Sequence, residues 1–169
     1  MKTLRILAID DHEMTMLGYK FILERIVFEG HSIIVDTANT FEMGKRLIEE
    51  SVNSFKYDIL FLDVQMYPPN EHQPQTGEDL GILARKLVPE TKIVFMSSFS
   101  DNYRINSILK SVDPDGYLVK TDIDPKTLED AVKTVTLNPP YYSSKALGAI
   151  RKKMTNDISL DEKDKKILN

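Results

Sequence analysis

The sequence predicts a doubly wound α/β fold, a five-stranded parallel sheet with helices on both faces, and three observations carry that prediction. Short runs rich in β-branched and aromatic residues (LRILAI, SIIVDTA, DILFL, KIVFMS and GYLV) recur along the chain. Longer amphipathic stretches separate them, each long enough for the crossover helix that parallel neighbours require. The runs themselves are apolar enough to read as buried, as strands covered by helices on both sides must be.

Taken in order, LRILAI opens as the first strand and MLGYKFILERIV follows as a helix, with Leu17, Phe21, Ile22 and Val27 near a 3.6-residue period. SIIVDTA is the second strand, and Thr40 stands where the next helix, TFEMGKRLIEES, needs an N-cap acceptor. DILFL is the third strand, with GEDLGILARKLV as its helix; KIVFMS and RINSILKSV form the fourth pair. GYLV is the fifth strand. Asp124-Pro125 then places an acceptor before a proline suited to the first turn of a helix over TLEDAVKTV. Pro139 and Pro140 break that helix, and KALGAIRKKM reads as one more. The remainder, TNDISLDEKDKKILN, is polar and charged until Ile167 and Leu168.

Composition narrows the function classes. With 169 residues the chain has the size of one domain and a short extension. Its 22 basic and 26 acidic residues leave a net charge of −4, so the chain as a whole has no strong attraction to nucleic acid or an anionic membrane. There is no cysteine, which removes disulfides, thiolate metal sites and thiol nucleophiles. No segment approaches 18 apolar residues, and the N-terminal run is too soon interrupted by acids for a signal peptide, so a cytoplasmic location is expected.

In an open parallel sheet, ligands bind beyond the carboxyl ends of the strands. The residues just after the apolar runs are Asp10 and Asp11, Asp63, Ser97 and Lys120. If the sheet is wound as supposed, they converge on one edge. Three carboxylates brought within a few ångströms repel by roughly 4 kcal/mol per pair at an effective dielectric near 20, and a divalent cation resolves this. Mg²⁺ takes hard oxygen ligands and keeps waters for phosphate oxygens. Beside it a carboxylate can act as a nucleophile on phosphorus, with an ammonium and a hydroxyl neutralising the phosphoryl oxygens. Each residue taken singly has a plainer reading: a helix cap for the acidic pair, a turn former for Asp63, a solvated loop charge for Lys120. Their joint occurrence at the ends of the first, third, fourth and fifth strands favours a phosphoacceptor site.

These residues resemble the receiver domain of two-component response regulators, the CheY-like family, over roughly residues 1–138. In that family an acidic pair ends the first strand, the phosphoacceptor Asp the third, a Ser or Thr the fourth and a Lys the fifth. The resemblance implies strand order 2-1-3-4-5, phosphorylation of Asp63 by a sensor histidine kinase, and Mg²⁺ held by Asp11, Asp63 and the backbone carbonyl of Gln65, with Asp10 acting mainly through a bound water. Ser97 and Lys120 would follow the new charge, and Tyr117 matches the aromatic whose rotation accompanies activation. Gln65 and Phe99 stand where the family tunes loss of the phosphoryl group. Such a chain is a signalling domain, with only self-catalysed phosphotransfer and dephosphorylation.

The DDH of "ILAIDDHEMTMLGYKFIL" is similar to the opening of NarL/FixJ-type regulators, and LDEKDKKIL resembles the start of their LuxR-type helix-turn-helix, with Asp161 as the expected N-cap. The implied organisation is a receiver over 1–138, a linker with a helix over 139–157 and the first residues of a DNA-binding domain over 158–169. On that reading DNA recognition and transcriptional control belong to residues absent from this chain, and a homodimer is a candidate assembly. His12 reads as a helix-start histidine, since a hard oxygen site suits Mg²⁺ better than imidazole; His31 and His72 fall in a turn and a polar loop. The segment from Val64 to Thr76 departs from the family, with Gly77 fourteen positions after Asp63. It reads as a surface excursion, or as a lid or kinase contact. Two other functions compete: a non-phosphorylated docking or dimerisation module, and a phosphohydrolase of haloacid-dehalogenase type, whose D-x-D the adjacent Asp10 and Asp11 do not match.

Overall fold

The computed structural model describes residues 1–66, 76–98, 104–152 and 154–155. Strands β1 (Lys2–Ile9), β2 (His31–Ala38), β3 (Ile59–Asp63), β4 (Lys92–Ser97) and β5 (Gly116–Val119) alternate with helices α1 (Glu13–Leu23), α2 (Phe41–Ser51), α3 (Gly77–Leu87), α4 (Ile105–Ser111) and α5 (Pro125–Leu137). A single 3₁₀ turn, Lys120–Asp122, leaves β5. A sixth strand, β6 (Tyr141–Tyr142), follows α5, and residues 144–152 form a further helix, α6. The sheet order is β2-β1-β3-β4-β5-β6, with every pair parallel. The predicted five-strand order 2-1-3-4-5 is contained in it, and β6 is the addition. Two residues carry no periodicity, so β6 exists only through its pairing with Gly116 and Tyr117.

Side chains alternate across the strands and divide the core in two. Leu7, Ile9, Leu60, Leu62, Ile93, Phe95, Tyr117 and Val119 face α2, α3, α4 and Ala146 of α6. Leu4, Ile6, Ala8, Ile59, Phe61, Val94, Met96 and Leu118 face α1 and α5. Phe61 is 1% exposed; truncating such a ring to alanine costs about 3–5 kcal/mol.

The helix starts follow their chemistry. Thr40 Oγ1 accepts from Met43 N at 3.1 Å, and Asp124 Oδ1 accepts from Thr127 N at 2.7 Å with Pro125 in the first turn. Thr76 and Asp79 form a reciprocal capping box at α3.

The face of α1 is a correction. Met16, Tyr19 and Leu23 are buried, whereas Leu17 and Phe21 are exposed and Val27 lies beyond the helix, 82% exposed. Two apolar stripes share this helix, and the sheet takes the one spaced i, i+3, i+7; Phe21 is instead covered by the Arg25 guanidinium, 3.7 Å from its ring centroid. His31 is likewise not in a turn but begins β2, against the Phe28 ring.

Candidate functional site

Strand register brings the chemistry to one edge. Ile9 pairs with Leu62, Asp63 with Met96 and Ser97 with Val119, so the residues ending β1, β3, β4 and β5 emerge side by side. Asp10 and Ser97 are fully buried and Asp63 is 1% exposed. Each ends an apolar strand whose neighbours are covered by helices, which is why charged groups lie so deep.

Lys120 joins the two acids. Its Nζ lies 3.1 Å from both Asp10 Oδ2 and Asp63 Oδ2. The other Asp63 oxygen accepts from Gln65 N at 3.1 Å, and the other Asp10 oxygen accepts from His12 N at 2.9 Å. The His12 ring, at the N-cap of α1, places Nδ1 3.1 Å from Asp10 Oδ1 and 3.0 Å from Asp11 Oδ1. Asp10, Asp11, His12 and Asp63 each offer one donor atom within 4.8 Å of the others, so this group could hold a metal ion.

Burial and the neighbouring charges act against each other at this edge. Burial pushes the Asp63 carboxyl up to about 6, the Asp10 charge adds to the rise, and Lys120 and the Gln65 N–H oppose it. Burial acts in the same sense on Asp10, but there the His12 backbone hydrogen bond and the Lys120 charge outweigh it and leave the carboxyl below its ordinary value. Burial disfavours the Lys120 ammonium, yet Asp63 and Asp10 overcome this and raise its pKa. One ammonium cannot balance three carboxylates. A hard divalent cation fits that donor set and that deficit.

Of the residues singled out from sequence, Asp10, Asp11, Asp63 and Lys120 meet at this edge, with the Gln65 backbone beside them. Ser97 ends the neighbouring strand. Tyr117 is fully buried, its ring centroid 6.3 Å from that of Phe95. Phe99 and most of the segment after Met66 fall outside the described residues, as do 156–169.

Where the chain returns, Gly77 N donates to Val64 O at 3.1 Å, closing the excursion against the strand end that carries Asp63. A Cβ at Gly77 would lie 1.9 Å from the Asp63 carbonyl oxygen, so the backbone approach there requires glycine.

Tyr19 is a neighbour that sequence reasoning missed. It is buried on α1, and burial pushes its hydroxyl up to about 12, with Lys120, Asp10 and Asp63 all within electrostatic reach. Its signal was the i, i+3, i+7 stripe with Met16 and Leu23.

Solved structures share this architecture. A two-component response regulator of the LuxR family from Aurantimonas sp. SI85-9A1 superposes with a TM-score of 0.73 at 20% identity, covering 91% of this chain and 99% of that one. The chain has the fold of a response-regulator receiver domain. In sequence, the chain is 27% identical over 163 residues to the oxygen regulatory protein NreC of Staphylococcus epidermidis, covering 94% of the chain and 66% of NreC. It is 24% identical over 165 residues to the response regulator protein VraR of Staphylococcus aureus, covering 95% of the chain and 69% of VraR. The chain therefore spans about two thirds of the length of the relatives it matches. No protein-family profile matches it.

Proposed function

We propose that this chain is the phosphoacceptor part of a two-component response regulator, in which Asp63 receives a phosphoryl group from a sensor histidine kinase. The observation that carries the reading is the buried Asp63 carboxylate, hydrogen-bonded to Lys120 and backed by Asp10 at the carboxyl edge of the sheet. An Asp63 carboxylate oxygen attacks the phosphorus of a phosphohistidine. The new P–O bond forms as the P–N bond breaks, and the electron pair returns to the imidazole nitrogen. Lys120 then pairs with the phosphoryl oxygens, and the Ser97 hydroxyl donates to them. Attack of water on phosphorus later restores the carboxylate and releases phosphate.

Asp11, Asp63 and the Gln65 carbonyl would hold Mg²⁺, with Asp10 behind them, and the ion would supply neutralisation of charge on the transferred group. Gln65 and Phe99, two residues beyond Asp63 and Ser97, would set access of the hydrolytic water. Phosphorylation adds about 1.5 to 2 negative charges. Lys120, Ser97 and Tyr117 would respond, reshaping the face made by α4, β5 and α5. The output would be DNA binding and transcriptional control by residues outside the described structure, in the manner of NarL/LuxR-type regulators, with a homodimer as a candidate active form and the cytoplasm as the location.

Acetyl phosphate with Mg²⁺ tests the reading by intact mass. The wild type takes up one phosphoryl group, and neither Asp63→Ala nor the chelated wild type takes up any. No uptake by the wild type, or equal uptake by Asp63→Ala, overturns it.

A further inference from the structure

The segment after α5 is bonded to both sides of Lys120. Tyr141 and Tyr142 pair with Gly116 and Tyr117, and Ser143 N donates to Tyr117 O at 3.0 Å. Ser143, 2% exposed, then accepts at Oγ from Val119 N at 3.0 Å. Two residues later Lys145 N donates to Asp122 Oδ2 at 2.8 Å, and Lys145 Nζ donates to Thr121 Oγ1 at 2.8 Å.

The two elements thus cap one another. Asp122, in the turn after Lys120, satisfies a backbone N–H in the first turn of α6, an orphan group at any helix start. Ser143, just before α6, turns its hydroxyl to the backbone N–H at the end of β5. Lys120 lies between these two anchors, and its Nζ reaches Asp10 and Asp63. Ala146, fully buried in the same apolar cluster as Tyr117 and Val119, fixes α6 behind them.

We infer that Ser143 and Asp122 are positioning residues that hold Lys120 over the Asp63 carboxylate, so that a change of charge at Asp63 is passed through the turn to α6. The inference rests on the phosphoacceptor reading and adds to it a mechanical link to the segment leading to the chain's last residues. Linkage makes it reciprocal: an altered start of α6 alters how Lys120 meets the phosphoryl group.

The test uses the full chain with Mg²⁺ and acetyl phosphate, following the phosphorylation rate at saturating donor, Mg²⁺ affinity by calorimetry, and amide exchange with and without beryllofluoride. One hydrogen bond sets the scale: Ser143→Ala slows phosphorylation by about three- to tenfold. Its Mg²⁺ affinity stays within about twofold of wild type, since the carboxylates are untouched, and Ser143→Thr restores the rate. Asp122→Asn, which keeps an acceptor but loses the charge, slows phosphorylation to a smaller extent. In the wild type, beryllofluoride changes amide exchange in α6, and Ser143→Ala abolishes that response.

A wild-type rate and α6 response in Ser143→Ala overturns the inference while leaving Asp63 as phosphoacceptor. A slow Ser143→Ala that has also lost Mg²⁺ affinity overturns it too, because the serine would then be supporting the whole edge. A wild type that takes up no phosphoryl group overturns the function itself, and this inference with it.

Discussion

Asp63→Asn removes a charge that the fold resists. The carboxyl is raised to about 6 from an ordinary 3.8, and its side chain is 2% exposed, so the shift is little screened by solvent. A shift of roughly 2 units corresponds to about 3 kcal/mol, the extra free energy that ionising this carboxyl costs in the ion-free folded protein compared with the unfolded chain. Asparagine reproduces that neutral form. Because the folded pKa lies above the unfolded one, the folded state binds the extra proton in between. The Asp63 contribution to stability is therefore present below about pH 4 and lost as pH rises through 6. The Asn variant should then melt higher than the wild type near pH 7.5 in chelator, by about 6–12 °C for a chain of this size. Near pH 4 the gain shrinks below about 1 kcal/mol. Adding Mg²⁺ near neutral pH stabilises the wild type more than the variant and narrows the gap. Thermal melts by circular dichroism at the two pH values check this. A variant less stable than wild type, or a gain independent of pH, refutes the electrostatic account of the site.

Further predictions separate site from scaffold. Lys120→Met leaves Asp10 and Asp63 facing each other without their shared ammonium and should cost about 2–4 kcal/mol in urea unfolding with chelator present; a loss under 1 kcal/mol would mean that the ammonium contributes little. Gly77→Ala drives a methyl group into the Asp63 carbonyl and should cost about 1–3 kcal/mol while weakening Mg²⁺ binding, both measured against wild type. Arg85→Ala serves as the contrast. Its guanidinium donates to the carbonyls of Val112, Thr91 and Asp113 and to the Asp115 carboxylate, at the far end of the sheet, holding Asp113 at φ +50°. Its loss should cost about 2–4 kcal/mol with phosphoryl uptake per folded molecule unchanged.

The site's residues were legible in sequence because each carboxylate or ammonium follows an apolar run that can only be a buried strand, and parallel winding sends all those ends to one edge. The pairing within the edge was not legible. That Lys120 bridges Asp10 as well as Asp63 depends on distances between strands, and that His12 turns its ring onto both Asp10 and Asp11 depends on how the backbone turns between β1 and α1. The α1 helix formed as read and Ile22 packs partly buried against the core, but the placing of Leu17 and Phe21 failed for a related reason. Leu17 and Phe21 are as apolar as Met16 and Leu23, and periodicity alone cannot say which stripe meets the sheet. The strand β6 and the Ser143 hydroxyl were invisible because two tyrosines and a serine acquire their roles only from the open edge of β5. The order of the five predicted strands was legible through the resemblance, and the observed sheet contains it.

The most direct measurement is to locate the phosphoryl group. The wild type would be treated with acetyl phosphate and Mg²⁺, reduced with borohydride, which converts an aspartyl phosphate to homoserine, and its peptides sequenced by mass spectrometry. Homoserine is expected at position 63, and none when Mg²⁺ is chelated. Homoserine at Asp10 or Asp11, or an unmodified Asp63 in a protein that has taken up phosphate, would contradict it.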